Sequence, residues 1–396
     1  MSKKSDRSKW RSETKAVHSG TLRSQFDETS EAIFLNSGFI YSSAEEAEAA
    51  FGDKINRYLY SRFGNPTVSM FEEKLKIIED AEDCKATGSG MSAVFASLAS
   101  YLKAGDRLVA SKALFGSCYI ICKEILPKFG IEVSFVNGTN TEDWEKALAT
   151  PTKAIFLETP SNPNLEIIDI SQICKLAKVY NTKVFVDNVF STPILQKPLD
   201  LGADVVIYSA TKHIDGQGRC LGGAILSSEE FIKDVVTPFI RHTGPSLSPF
   251  NAWVLLKGLE TLSLRIKEHS NNALEIANYL HTKNIVSRTI YPSLNTHPQN
   301  EIAKKQMKAG GGVVSFELKG NKDKVFKFLN KLQIIKISNN LGDTKSLICH
   351  PATTTHQRLS DDEKLEIGIT QNLIRLSVGL ENVDDLIDDI EYALDS

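Results

Sequence analysis

Between residues 107 and 226 the chain alternates short apolar runs with helix-patterned segments, and this alternation restricts its folds more than any other feature. The runs are Arg107 to Ser111, Glu132 to Val136, Ala154 to Glu158, Lys183 to Asp187, Asp204 to Tyr208 and Gly223 to Leu226. Helical spacing falls between them, at Ile120 to Leu126, near Trp144 and from Ile173 to Tyr180. Strands joined this way make a mostly parallel sheet, because a parallel neighbour is reached only by a crossover long enough to hold a helix. Strands covered on both faces read as unbroken apolar runs, as Ala154-Ile155-Phe156-Leu157 and Val184-Phe185-Val186 do. Ligands of such sheets bind at the carboxyl ends of the strands. Three polar groups fall there: Glu158 with Thr159-Pro160-Ser161-Asn162-Pro163, Asp187 with Asn188, and Ser209 to Lys212.

The last of these carries the most chemistry. After Val206-Ile207-Tyr208 come Ser209 and Thr211, whose alternate hydroxyls suit one anion, then Lys212, then Gly216-Gln217-Gly218. A lysine near a phosphate and sheltered from water can lose its proton readily enough to attack a carbonyl, as in a Schiff base with pyridoxal phosphate. A solvated loop lysine is the plain alternative. Asp187 ends an apolar strand, where a fixed carboxylate would keep a pyridine nitrogen protonated; capping the next turn is the other reading. Phe115 suits either stacking on a ring or filling core. Arg375 stands inside the apolar run Leu373 to Val378, and a buried arginine requires an anion, whether a structural carboxylate or a substrate's.

Thr87-Gly88-Ser89-Gly90-Met91-Ser92-Ala93 opens a helix, and glycines before a helix let backbone amides approach a phosphate. The segment also fits GxGxxA, but a dinucleotide site needs an apolar strand before the first glycine, and Asp83-Cys84-Lys85-Ala86 does not read as one. Tyr60 and Arg62 are two phosphate-capable donors beside the Asn65-Pro66 turn, with Thr67 as the cap of a helix at Val68 to Glu79. Two surface residues is the plain reading of the pair.

Residues 1–60 are largely irregular, with a short helix at Ala44 to Ala50, and suit an arm lying on an oligomer partner. Residues 61–255 read as the large domain and 256–396 as a smaller α+β domain, bridged by one long helix from Pro249 toward Leu280. The small domain is expected to hold strands at Val313 to Leu318, Lys336 to Ser338, Leu347 to Cys349 and Leu373 to Val378, with helices at Lys324 to Leu332 and Val383 to Leu394. A net charge of -3 gives no reason to expect nucleic acid. The polar start lacks a signal peptide's apolar core, and no apolar run is long enough for a membrane span. The six cysteines, without a CxxC pair, read as reduced thiols of a cytoplasmic protein. Cys118 and Cys122, four apart, read as packing residues, and no metal site is expected.

Taken together these residues resemble the Cys/Met metabolism family of pyridoxal-phosphate enzymes. The likeness runs through Val17-His18-Ser19-Gly20, Tyr60-Ser61-Arg62, Asn65-Pro66-Thr67, Gly88-Ser89-Gly90-Met91, the Glu158 to Pro163 segment, Asp187-Asn188, Ser209-Ala210-Thr211-Lys212 and Arg375-Leu376-Ser377-Val378-Gly379. It implies an aspartate-aminotransferase-like α/β fold, fold type I, and pyridoxal 5'-phosphate held by Lys212. It also implies phosphate contacts from Gly90, Met91, Ser209 and Thr211, with Tyr60 and Arg62 reaching in from a neighbouring subunit. Phe115 and Asn162 would contact the cofactor, Asp187 would pair its ring nitrogen, and Arg375 and Asn340 would bind substrate. A homo-oligomer is implied, a tetramer by the family's habit.

Within the family the likeness is greatest to the O-succinylhomoserine sulfhydrylase branch. It rests on Leu114-Phe115-Gly116-Ser117-Cys118, His213 to Arg219, Ser338 to Asp343 and His350 to Gln357. It implies exchange of an acyloxy group for sulfide, giving homocysteine for methionine biosynthesis. Phe115 replaces the stacking tyrosine usual in the lyases, and Asn340 stands where many relatives have serine. Cystathionine synthesis, γ-elimination, a nicotinamide oxidoreductase and a catalytically silent cofactor-binding protein are the alternatives. Arg219, Arg241 and Arg57 are unranked candidates for a distal acyl carboxylate.

Overall fold

A computed structural model of the chain describes residues 10–395. Seven strands form the first sheet: β1 (Asp83–Thr87), β2 (Arg107–Ser111), β3 (Glu132–Val136), β4 (Ala154–Glu158), β5 (Lys183–Asp187), β6 (Val205–Ser209) and β7 (Gly223–Ser227). Their order is β1-β7-β6-β5-β4-β2-β3. Neighbours from β3 to β6 are parallel, whereas β7 runs antiparallel to both β6 and β1. β4 is buried along its whole length, as its unbroken apolar run requires.

β1 corrects an expectation. Asp83–Thr87 is a strand after all, at the sheet's edge, with Cys84 and Ala86 buried and Lys85 turned to an ion pair with Glu72. An edge strand tolerates polar residues on alternate positions, so the lack of a continuous apolar run did not exclude one. That argument against a dinucleotide site falls; the surroundings of Gly88 to Ala93, described below, decide the matter instead.

The second sheet has order β10-β11-β12-β9-β8. Its strands are β8 (Val286–Ile290), β9 (Val313–Leu318), β10 (Lys336–Ile337), β11 (Leu347–Cys349) and β12 (Leu373–Ser377). The helices Lys322–Lys331 and Val383–Leu394 pack on it, and Asn382 caps the latter by accepting from the Asp384 amide. The long bridging helix is two, Pro249–Glu260 and Leu262–Thr282, broken at Thr261. The first helix of the arm region, Ser12–His18, has no counterpart in the sequence reading, and Ala44–Phe51 lies where the short helix was expected. The helix at Val68 is Pro66–Glu79, and its cap is Asn65 rather than Thr67. The Asn65 carboxamide accepts from the Thr67 amide, while the Thr67 hydroxyl accepts from the Phe34 amide and so ties the arm to the helix.

That helix ends in a buried acid. Glu79 accepts a 2.6 Å hydrogen bond from the Tyr208 hydroxyl of β6, which accepts in turn from the Asn188 side chain. Burial pushes the Glu79 carboxyl up to about 8. Against an unfolded value of about 4.3, the folded chain holds a proton that the unfolded chain releases across that interval. The stability carried by the protonated form is therefore complete below about pH 4.5 and is lost as pH rises toward 8. Glu79→Gln, an uncharged isostere, should match wild type in melting temperature near pH 5 and exceed it by a few degrees at pH 8. A difference that does not change with pH would refute this account.

Candidate active site

The site forms where β4, β5 and β6 end side by side. Register places Glu158 directly opposite Asp187, and Asp187 opposite Ile207, two residues before Ser209. After β6 the chain turns tightly, with the Lys212 amide donating to the Ser209 carbonyl and the Gly216 amide to that of Lys212. Gly342, from the loop before β11, presses on this turn at φ +75°; a Cβ there would lie 2.7 Å from the His213 nitrogen. Only glycine combines that conformation with so close an approach.

Lys212, Asp187, Phe115, Asn162 and Arg375 line one cavity of about 430 Å³. Gly90, Met91, Ser209 and Thr211 line it too. They touch each other, since a Cβ on Gly90 would meet the Ser209 Cβ at 2.5 Å. Ser89 caps the helix Gly90–Ala99 by accepting from the Ser92 amide. The amides of Gly90 and Met91 precede any intrahelical partner and, with the helix dipole, suit an anion beside the Ser209 hydroxyl. The Thr211 hydroxyl is tied to Gly222, accepting from its amide at 3.0 Å.

Lys212 donates to the Asn340 carboxamide oxygen at 2.6 Å. Burial, and then the charge of Arg375, lower its ammonium to about 8. Arg375 is 1% exposed and reaches from β12 to the loop that follows β4. It donates to the Asn162 side chain (3.0 Å) and to the Asn339 and Asn340 carbonyls, leaving its buried Nε–H without a partner among the described residues. Among the described residues the Asp187 side chain accepts from the Val189 amide alone, and burial raises its carboxyl to about 7. Glu158 is raised further, by burial and then by Asp187, although it accepts from the Phe115 amide (2.7 Å) and the Asn162 amide (2.8 Å). Glu158 thus clamps the two segments that carry Phe115 and Asn162.

Tyr60 and Arg62 are not among the residues lining this cavity. Arg62 donates to the Arg241 carbonyl and lies 5.4 Å from the ring centroid of Tyr60, which is 41% exposed. Sequence reasoning missed Asn339, Leu221 and Thr355 as cavity residues. Asn339 adjoins a position already singled out, and Thr355 lies in the conspicuous Thr353 to His356 run; Leu221 carried no signal. Cys118 and Cys122 are both buried, as packing residues would be. Cys118 also comes within 4.8 Å of ligand atoms of Glu158 and Asp187, a grouping that no sequence spacing disclosed. A cation placed there would relieve the repulsion between the two carboxyls.

The donor set fits pyridoxal phosphate on its own terms. A cradle closed by Gly90 against Ser209 suits a phosphate, a lysine of lowered proton affinity faces the same cavity, and a buried carboxyl with one unpartnered oxygen waits for a cationic ring nitrogen. The model of the family described as Cys/Met metabolism PLP-dependent enzyme matches residues 13–395. The chain belongs to the Cys/Met metabolism family of PLP-dependent enzymes. An O-succinylhomoserine sulfhydrylase of Mycobacterium tuberculosis is 52% identical over 96% of this chain and 95% of that protein. An L-methionine gamma-lyase of Fusobacterium nucleatum is 41% identical over 96% of this chain and 97% of its own length. Among solved structures, a candidate O-acetylhomoserine (thiol)-lyase from Campylobacter jejuni, with N'-pyridoxyl-lysine-5'-monophosphate, superposes with a TM-score of 0.94. It is 33% identical, and the match covers 98% of this chain and all of that one.

Family membership fixes the fold as aspartate-aminotransferase-like, fold type I, and the protein as a PLP-dependent enzyme. It also disposes of the nicotinamide reading: Gly88 to Ala93 opens onto Ser209 and the Lys212 cavity. The phenyl ring of Phe115 brings no phenol to the cavity.

Proposed function

We propose that the chain replaces the γ-acyloxy group of O-succinylhomoserine with hydrogen sulfide, releasing homocysteine and succinate for methionine biosynthesis. The convergence of Lys212, Asp187 and Arg375 on one cavity carries this reading. The 52% identity to an O-succinylhomoserine sulfhydrylase selects the substrate. Bound through Lys212, pyridoxal phosphate supplies an electron sink for charge developing at the substrate Cα. Arg375 binds the α-carboxylate, and its unpartnered Nε–H is a donor free to do so. Asn162 and the two carbonyls hold the guanidinium in place. Lys212, once free and neutral, would take the Cα proton, hand it on within the site and, neutral again, take one from Cβ, with Asn340 aiming its amine. Proton transfer falls to Lys212 because Phe115 has no hydroxyl to offer. Gly90, Met91, Ser209 and Thr211 hold the cofactor phosphate, and Asp187 its ring nitrogen.

The test is homocysteine formation by cofactor-loaded protein, with O-succinylhomoserine or O-acetylhomoserine and with sulfide or cysteine. Preference for the succinyl ester with sulfide is the expected result. A preference for cysteine would make it a cystathionine synthase. Release of 2-oxobutyrate without any nucleophile would favour the second reading, a γ-lyase, to which the Fusobacterium relative lends weight.

We further propose a division into an arm at 1–60, a cofactor domain at 61–255 and a small domain at 256–396, assembled as a cytoplasmic homotetramer with shared sites. Exposed apolar residues gather in the arm, including Phe26 at 80%, Leu35 at 70% and Ile40 at 91%. Such a run favours a covered face. Tyr60 and Arg62 follow it and would contact the phosphate in a neighbour's site. Arg62→Ala and Lys212→Ala chains, each inactive alone, should recover activity when mixed and reassembled, because some hybrid sites are whole. No recovery despite proven subunit exchange would refute sharing.

A further inference from the structure

We infer that Arg219 binds the distal carboxylate of the acyl group and so sets the preference for a succinyl over an acetyl ester. This rests on the acyl-homoserine reading above. A second cavity of about 370 Å³ adjoins that of Lys212, sharing Thr211 and Leu221 as walls. Arg219 and Asn340 line it, and the Asn340 side chain is the one that accepts from Lys212. With its α-carboxylate at Arg375 and its reacting carbons at Lys212, a substrate has its ester chain left to run past Thr211 and Leu221.

Arg219 is held ready for an anion there. Its backbone amide and Nε donate to the Asp215 carboxylate at 2.6 and 2.9 Å, and Nη2 donates to the Asp215 carbonyl at 2.9 Å. These bonds fix the guanidinium plane and leave the Nη1 end without a protein acceptor among the described residues. The Arg219 side chain is 37% exposed, whereas that of Asp215 is fully buried. Asp215 also faces the charge of Arg265, whose guanidinium is spent on the His213, Ile214 and Gly258 carbonyls. Two cations around one carboxylate leave a positive charge over, and only Arg219 can offer it to a ligand. A guanidinium held in this way pairs with a carboxylate, whereas an acetyl methyl gives it nothing to bind. The other two arginines are occupied elsewhere: Arg57 by Glu46, the Ile40 carbonyl and the Tyr41 ring, Arg241 by the Phe63 ring at 4.0 Å. Neither lines either cavity.

The test compares holoenzymes of wild type, Arg219→Gln, Arg219→Lys and Arg57→Gln. One arm measures kcat and KM for both esters with sulfide; the other measures calorimetric binding of succinate and acetate. In Arg219→Gln the succinyl-to-acetyl ratio of kcat/KM should fall by about tenfold or more, through KM, and succinate binding should weaken as much. Arg219→Lys should restore part of both. The inference is overturned if the ratio stays put, if both esters lose equally and lysine restores neither, or if Arg57→Gln moves the ratio instead. Should wild type make homocysteine from neither ester, the reaction assigned above fails. Loss of succinate binding in Arg219→Gln would then still uphold the carboxylate site, and retention would refute it.

Discussion

Replacement of Lys212 by alanine should lower homocysteine formation by roughly 10⁴-fold, with loss of the visible absorbance band that borohydride otherwise removes. The size follows from the two duties proposed for the amine, holding the cofactor and moving the Cα and Cβ protons. Burial beside Arg375 brings its ammonium to about 8, so an appreciable neutral fraction exists near neutral pH. An ordinary lysine keeps roughly one part in a thousand neutral there. Asn340→Ala should leave the band in place and cost about tenfold in kcat, since it removes only the 2.6 Å contact that aims the amine. Substantial turnover by Lys212→Ala without added amine would sink the assignment. Equal losses in both variants would mean that the Asn340 contact, rather than the amine itself, sets the rate.

Sequence disclosed what is decided locally. β2, β4 and β5 were legible to the residue because each is an almost unbroken buried run, β3 because Val133 and Phe135 alternate with polar residues, and Lys212 and Asp187 because such side chains are out of place at the ends of apolar strands. Arg375 declared itself for the same reason, a charge inside an apolar strand. The edge strands β1 and β8 were harder. β1 carries Asp83 and Lys85, and β8 turns Ser287 and Arg288 to solvent, so neither shows a buried strand's pattern. The helix after Pro249 keeps its apolar spacing straight across Thr261, hiding the break. What no local pattern held was partnership across the chain. Asn340 meets Lys212 over 128 residues, and Arg375 meets Asn162 over 213. Arg219 could not be ranked above Arg57 or Arg241 until the packing showed which of the three lines a cavity beside Lys212.

Asp187→Asn should cut kcat/KM by about 10²- to 10³-fold while leaving the fold intact. The carboxyl lies in register with Glu158 on the neighbouring strand, and both are buried, so the pair resists carrying two negative charges. Glu158 is the harder to ionise, which leaves Asp187 as the member that would meet a cationic ring nitrogen with a full charge. Asparagine keeps the volume and the acceptor for the Val189 amide but removes that charge. Glu158→Gln should behave in the opposite way. One of its two backbone clamps, to Phe115 or to Asn162, would face an amide nitrogen instead of an oxygen, so melting temperature should fall before activity does. Measuring kcat/KM and thermal unfolding on the two holoenzymes separates the roles. If Asp187→Asn keeps more than about a tenth of wild-type activity, or if Glu158→Gln is the variant that loses activity at unchanged stability, the charge opposite the ring has been assigned to the wrong carboxyl.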